Sequence, residues 1–237
     1  MAKPTGTTPP RTPPGSLHDP GQDEALAGGR HGTPFGYLGV HPLGGGRYVL
    51  RVFRPGAETA ALLCEDGTEV PLDPVGHDLF VAVLERDPGA YRLRLASGDA
   101  SWEEHDPYRF APVLGEMDEH FIGEGSHLGL WRVLGAHPMT HQSVEGTHFA
   151  VWAPSAQRVS VVGAFNHWDG RRHPLRLRGA TGVWEIFLPG VGAGAPYKYE
   201  IRGAHGEVLP LKADPVGFGA EHPPQTASLV RDLRDRD

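Results

Sequence analysis

Cysteine is nearly absent from this 237-residue chain, which contains one, Cys64. A single cysteine excludes a disulfide within the chain and a cysteine-based zinc or iron–sulfur centre, and it favours a reducing compartment. Long apolar runs are absent too, since none approaches the ~20 residues of a membrane span, and the N-terminal segment has no signal-peptide core. The sequence therefore predicts a cytoplasmic protein that does not interact with membranes.

The chain also has no excess of positive charge. The formal net charge is −7, and residues 35–133 carry it, with eight basic and sixteen acidic groups. Residues 134–237 are nearly neutral, with eleven basic and ten acidic groups. Such a surface provides no strong field to attract nucleic acid or an anionic membrane, and no nucleic-acid partner is expected.

Glycine and proline are abundant, with 33 and 23 residues. This abundance disfavours a helical bundle and indicates many short strands joined by turns. Residues 1–34 are rich in Pro, Gly, Thr and Ser and show no hydrophobic period, so burial offers nothing to offset the entropy of ordering them. They are predicted to form a disordered N-terminal tail.

The rest of the chain contains the same series of segments twice. The equivalent segments are residues 38–42 and 134–138, 47–55 and 147–154, 79–84 and 183–188, 91–95 and 197–201, and 106–110 and 214–218. Their apolar residues alternate, which is typical of strands with one buried face. The predicted fold is all-β, with tandem immunoglobulin-like antiparallel sandwiches over residues 35–112 and 134–230. A short helical connector over 113–133 joins them, and residues 231–237 form a charged end.

Catalytic and cofactor motifs are missing, including a P-loop, H-E-x-x-H and G-x-S-x-G. The glycine-rich segment from Gly190 to Gly194 leads into a strand and not a helix, so a hairpin loop is expected there. His137 and His141 are four residues apart, but Pro138 between them disfavours the helix that would align them. No catalytic residue, metal site or cofactor is predicted.

One loop of the second module, Gly163-Ala164-Phe165-Asn166-His167-Trp168-Asp169-Gly170, has no equivalent in the first. If Trp168 is exposed, its flat face can stack on a sugar ring, and the Asn166 amide can exchange hydrogen bonds with hydroxyl groups. The alternative is that Trp168 packs in the core or anchors the loop, because large aromatic side chains are usually mostly buried.

The second module resembles a known family at several phrases: residues 147–154, 163–168, 197–201 and 209–215. They are similar to the N-terminal region of bacterial 1,4-α-glucan (glycogen) branching enzymes, which are glycosyltransferases of glycogen biosynthesis. In that family an N-terminal sandwich precedes a family-48 carbohydrate-binding module and then a catalytic (β/α)8 barrel. The resemblance extends over residues 36–230 and implies an accessory region that binds α-1,4-glucan.

The resemblance also implies which residues contact glucan. In the related glycogen-binding module of the AMP-activated kinase β subunit, the stacking tryptophan of an F-N-x-W phrase matches Trp168, and a lysine on the following strand matches Lys198. A second stacking tryptophan of that module has no counterpart near His205. Trp168, Asn166 and Lys198 are therefore the predicted carbohydrate-binding residues.

The acidic catalytic residues of the family's barrel have no counterparts in this chain. The chain by itself is expected not to perform the reaction that the resemblance implies, which is cleavage of an α-1,4-glucan and transfer of the fragment to a 6-hydroxyl. An alternative function is that of an interaction protein. Its apolar connector around Phe121 and Trp131 would then dock the sandwiches onto a separate catalytic barrel or another protein.

Overall fold

The alternating segments form antiparallel strands in the computed structural model, which describes residues 17–233. Two α-helices occur in this range, α1 (Pro20–Ala27) and α2 (Glu116–Gly123). The strands of the first module are β1 (Gly39–Gly44), β2 (Arg47–Phe53), β3 (Thr59–Cys64), β4 (Glu69–Gly76), β5 (Leu79–Leu84), β6 (Tyr91–Ser97) and β7 (Ala100–Glu104). Those of the second are β8 (Gly135–His141), β9 (Val144–Trp152), β10 (Arg158–Gly163), β11 (Arg176–Leu177), β12 (Val183–Pro189), β13 (Pro196–Arg202) and β14 (Ser228–Leu229).

Strand β4 turns the first module into a sandwich. The strands follow the order β1-β2-β5-β4-β3-β6-β7. Residues 69–72 of β4 pair with β3, whereas residues 73–76 pair with β5 across a register shift. The sheet therefore folds over at β4, and β2 and β5 face β3 and β6. The core between these faces consists of Leu50, Val52, Ala60, Leu62, Leu72, Phe80, Ala82, Leu84, Tyr91, Leu93 and Leu95.

The second module is a sandwich of two separate sheets, β11-β12-β9-β8 and β10-β13-β14. Its core includes Phe149, Val151, Val159, Val161, Trp184, Ile186, Tyr197 and Tyr199. These residues occupy every second position of β9, β10, β12 and β13, as expected for side chains that point from a strand into the interior of a sandwich. The prediction of an all-β fold with two antiparallel sandwiches is confirmed.

The two modules share an equivalent buried corner. The Tyr91 hydroxyl donates a hydrogen bond to Asp106 Oδ2 over 2.8 Å, and in the second module the Tyr197 hydroxyl donates to Asp214 Oδ2 over 2.7 Å. Each aspartate also accepts a hydrogen bond from the amide two residues further on. Burial raises the pKa of both carboxyl groups, although these hydrogen bonds oppose the shift. The sequence repeat therefore corresponds to a repeated structural element.

The connector covers the outer face of the β11-β12-β9-β8 sheet. Its Leu114 packs with Leu134 and with Ala150 and Val183 of that sheet. The buried Glu185 of β12 fixes this arrangement: its Oε2 accepts hydrogen bonds from the Val113 amide over 3.2 Å, the Leu114 amide over 2.9 Å and His148 Nε2 over 2.8 Å. Burial acts to raise the pKa of Glu185, but these hydrogen bonds outweigh it and lower the pKa.

Residues 17–34 differ from the predicted disordered tail. Asp19 caps helix α1, with Oδ1 accepting from the Gly21 and Gln22 amides, and Leu17 and Leu26 are buried in a cluster with residues of the first sandwich. The prediction of disorder is wrong for this part, because these two leucines bury enough apolar surface to hold the segment on the sandwich. Residues 1–16 of the predicted tail lie outside the described residues.

The glycine-rich loop after β12 also differs from expectation. Strand β12 pairs with β9 and β11, whereas β13 pairs with β10 and β14. The loop therefore crosses from one sheet to the other and is not a hairpin. The equivalent connection from β5 to β6 also joins strands that do not pair with each other.

Candidate functional site

The loop that carries Trp168 folds over the outer face of the β10-β13-β14 sheet. Tyr197 and Tyr199 of β13 are buried in the core, so Lys198 and Glu200 project from the opposite face. Gly170 lies against the Glu200 carboxylate, which leaves no space for a Cβ at this position. The loop therefore runs along the face from which Lys198 projects.

Trp168 is exposed over 40% of its surface, which excludes the alternative that it packs in the core. Its backbone and that of His167 have φ angles of 60° and 58°, in the left-handed region that non-glycine residues seldom occupy. A hydrogen bond of 2.9 Å from the Trp168 amide to the Gly163 carbonyl holds this conformation.

Asn166 lies beneath the loop and is 1% exposed. Its Oδ1 accepts a hydrogen bond from the Gly163 amide over 2.9 Å. Its Nδ2 lies 2.9 Å from both the Val161 carbonyl and His173 Nδ1, to which it donates. The structure thus places Asn166 away from any ligand on the surface, in contrast to the expectation that its amide contacts sugar hydroxyls.

His173 completes this group, and the sequence analysis did not single it out. Burial, together with the positive charges of Arg54 and Arg172, lowers the pKa of its imidazole to about 3, against the opposing charge of Asp169. The ring is therefore neutral at physiological pH, and its Nδ1 is free of a proton to accept from Asn166. No sequence motif indicates this pairing, because it depends on how the loop folds back.

Lys198 lies on the outer face of β13, opposite Val162 of β10. Its Nζ donates a hydrogen bond of 2.7 Å to the Thr226 hydroxyl, and this pair is exposed. Both groups can exchange this contact for hydrogen bonds to a ligand. The structure therefore places Lys198 on the outer face of the sheet and Trp168 in an exposed loop, whereas Asn166 is buried beneath that loop.

The charges around the loop are paired. Arg171 donates hydrogen bonds to both carboxylate oxygens of Asp169, and Arg158 donates to Glu200. Burial acts to raise the pKa of Asp169, but the hydrogen bonds from Arg171 outweigh it and lower the pKa. Both carboxylates beside the loop, Asp169 and Glu200, are thus engaged by arginines.

The histidines considered as metal ligands have other partners. His137 Nε2 donates to the Leu134 carbonyl and His141 Nε2 to the Ala111 carbonyl, each over 2.9 Å. Within residues 17–233, no three His, Cys, Asp or Glu side chains are grouped so that they could hold a metal ion. In the same range no helix is both long and apolar enough to cross a membrane.

Two family models match separate parts of the chain. Residues 19–108 match the N-terminal domain of the alpha-1,4-glucan branching enzyme GlgB, and residues 133–217 match carbohydrate-binding module 48, the isoamylase N-terminal domain. The second match contains the Trp168 loop and Lys198.

Whole-chain relatives agree with these matches. The chain is 55% identical over 221 residues to a 1,4-alpha-glucan branching enzyme GlgB of Roseobacter denitrificans, which covers 89% of the chain and 29% of that relative. It is 50% identical over 237 residues to the enzyme of Rhizobium meliloti, with 98% and 32% covered. A pullulanase structure from Klebsiella pneumoniae aligns over 84% of the chain and 21% of its own length, with 20% identity and a TM-score of 0.38.

The chain spans about 30% of the length of these curated relatives. Their identity extends through both sandwiches and the connector, and the two family models divide the chain where the structure has its two cores. The chain therefore has the two domains of the N-terminal region of 1,4-alpha-glucan branching enzymes, the GlgB N-terminal domain followed by carbohydrate-binding module 48.

Proposed function

We propose that the second sandwich binds α-1,4-glucan, as the accessory, non-catalytic region of a glycogen branching enzyme in the cytoplasm. The observation that supports this proposal is the 40% exposure of Trp168 in a loop of the family-48 module, beside the ion pair of Arg171 and Asp169. A flat, partly exposed aromatic ring suits the C–H face of a glucose unit.

Two side chains would make the contacts. Trp168 would stack on one glucose unit, and Lys198 Nζ would donate to a hydroxyl of the same or the adjacent unit in place of its bond to Thr226. Because a surface platform with so few contacts buries little area, we expect weak binding. Docking glucan in this way requires no covalent step by this chain.

The test is titration of the chain with maltoheptaose by calorimetry. We expect Trp168→Ala to weaken binding about tenfold, the equivalent of ~1.4 kcal/mol. The matched control is Trp102→Ala: Trp102 is 38% exposed, close to the 40% of Trp168, but lies in the first sandwich. We expect the control to bind like the parent.

Lys198→Ala should weaken binding by a smaller factor, about threefold, because it removes one exposed hydrogen bond. Equal affinity of the parent and Trp168→Ala would remove Trp168 from the site. A parent that binds no maltoheptaose would contradict the proposed function of the chain.

A second candidate function is docking onto a catalytic domain, in the same chain or a separate one. The observation that favours it is a cluster of exposed apolar side chains, here called the connector patch, formed by Met117, Phe121, Leu128, Leu130, Trp131 and Trp152. Leu128 is fully exposed, and a cavity of about 290 Å³ lies between Leu130 and Trp152. Soluble domains seldom leave such a group of large apolar side chains uncovered.

This second function is tested with the remaining part of a relative's chain, expressed separately. Co-elution with the parent chain in size-exclusion chromatography, lost when Leu128 and Trp131 are both replaced by serine, would support docking through the connector patch. Trp102→Ser is the control and should co-elute like the parent. Separate elution of the parent chain would contradict the docking function.

A further inference from the structure

A buried side chain, Asn166, and a partly buried one, His173, close the loop that carries Trp168. Asn166 at the start of the loop donates from Nδ2 to His173 Nδ1 at its end, over 2.9 Å. The same side-chain amide also bonds to the backbone at the end of β10. Its Oδ1 accepts from the Gly163 amide, and its Nδ2 donates to the Val161 carbonyl. Both N–H donors of Asn166 are therefore in use, and its side chain joins β10 to the returning segment of the loop.

The hydrogen bond between Asn166 and His173 lies next to a strained stretch of backbone. His167 and Trp168 follow Asn166 directly, and both adopt the left-handed conformation, with φ of 58° and 60°. A non-glycine residue in this region costs of the order of 1–3 kcal/mol and persists only when surrounding contacts enforce it. The hydrogen bonds of Asn166, together with the bond from the Asp169 amide to the Asn166 carbonyl over 3.1 Å, supply that enforcement.

We propose that Asn166 and His173 are positioning residues of the glucan-binding surface: the bond between them fixes the strained loop so that the Trp168 ring is a preformed stacking platform. This inference rests on the function proposed above and adds to it which residues set the orientation of the ring. A ring that is already ordered loses less conformational freedom when glucan binds, so the pair acts on affinity through Trp168 without contacting the ligand.

The proposal assigns Asn166 a role different from that of a direct ligand. A direct ligand would need a free donor or acceptor at the surface, whereas the Asn166 side chain is 1% exposed and bonded at both ends. Replacing Asn166 should therefore alter the orientation and mobility of Trp168 even when no glucan is present.

The first test is a double-mutant cycle on maltoheptaose affinity. We expect Asn166→Ala to weaken binding about fivefold to tenfold in the parent chain and to have no further effect in the Trp168→Ala variant. This result is expected because residues that act through a shared group are not additive. Equal losses in the two backgrounds would overturn the proposal.

The second test compares two replacements of His173, one that keeps a hydrogen-bond acceptor for Asn166 and one that removes it. In His173→Asn, the amide Oδ1 stands at the same number of bonds from Cβ as Nδ1 and can still accept from Asn166, so affinity should be close to that of the parent. His173→Leu removes the acceptor and should weaken binding to the same extent as Asn166→Ala. Equal affinity of the two variants would overturn the proposed role of the hydrogen bond.

The third test separates the positioning role from glucan binding. The chain is labelled with 5-fluorotryptophan, and the ¹⁹F resonance of Trp168 is assigned from Trp168→Phe. We expect Asn166→Ala and His173→Leu to shift and broaden this resonance, and His173→Asn and Lys198→Ala to leave it unchanged. An unchanged resonance in Asn166→Ala would overturn the positioning role. A parent chain that does not bind maltoheptaose but shows these shifts would instead contradict the proposed function alone.

Discussion

His173 is a neutral imidazole surrounded by charged groups. Arg54, Arg172 and Asp169 act on it, and Glu103, Glu104 and His105 line the same cavity. Burial has the largest effect, and with the two arginines it lowers the pKa to about 3 from the ordinary 6.5. The His173 imidazole of the folded protein therefore stays unprotonated below pH 6.5, where the same side chain of the unfolded chain binds a proton.

This difference predicts how stability depends on pH. As pH falls from about 6.5 towards 3, the unfolded state binds one more proton at His173 than the folded state, so the free energy of unfolding decreases. We expect His173→Asn, which does not titrate, to remove a slope of about 1.4 kcal/mol per pH unit between pH 5.5 and 4. Urea unfolding at several pH values measures it.

Three other histidines with a lowered pKa are retained in this variant and serve as an internal reference. Burial also lowers the pKa of His31, His105 and His137, so part of the acid sensitivity should remain. Parallel stability curves for the parent and His173→Asn would show that His173 does not exclude the proton.

The residues of the candidate site differ in how well the sequence predicts them. Trp168 could be identified because an aromatic residue between polar and turn-forming residues is an unusual core residue, and it is indeed exposed. The orientation of Asn166 could not be predicted, because an asparagine in a loop either faces solvent or bonds to its own backbone. His173 gave no signal, since its partner is determined by the loop closure.

At the scale of elements, strands were predicted better than the first helix. Strands β6 and β13 follow from alternating burial along seven residues, whereas β9, β10 and β12 are buried on both faces. Helix α1 has eight residues in a segment rich in Gly and Pro, and this composition masked it. Asp19 followed by Pro20 is a recognisable N-cap with proline at the first helical position, and it is the signal that could have identified the helix.

The packing of α1 predicts that it contributes to stability. Leu26 is 2% exposed and packs in a cluster with Tyr37, Phe53 and Val81. We expect Leu26→Ala to lower the free energy of unfolding by about 2–4 kcal/mol, because it leaves a cavity in this cluster. Chemical denaturation of the chain measures the change.

The matched control is Glu24→Ala in the same helix. Glu24 forms an exposed ion pair with Arg30 over 3.1 Å, so its loss should change the free energy of unfolding by less than about 0.5 kcal/mol. If Leu26→Ala were as stable as Glu24→Ala, α1 would not be part of the folded core.

At the scale of the whole molecule, single residues join the two sandwiches. Phe35 packs against the core of the second sandwich and against the cluster of Leu26, Phe53 and Tyr108 at the first. The Tyr108 ring lies 4.8 Å from the Phe35 ring, and the Arg176 guanidinium lies 3.6 Å above it. The sequence repeat predicts two modules but not their relative orientation. That orientation depends on a few side chains, such as Phe35 and Arg176, that belong to neither repeat pattern.

The position of Phe35 predicts that the sandwiches unfold cooperatively. Calorimetry of the parent should give a single transition, because separating the sandwiches would expose the Phe35 ring and the carbonyl of Phe110, which accepts from Arg176 over 2.5 Å. Phe35→Ala removes the shared contact and should split the transition in two, with the less stable sandwich losing about 2 kcal/mol.

Phe121→Ala, at the connector patch, is the control and should retain one transition. A single transition in Phe35→Ala at the parent temperature would mean that the sandwiches are held together by other contacts, such as the bond from the Tyr108 hydroxyl to the Arg172 carbonyl.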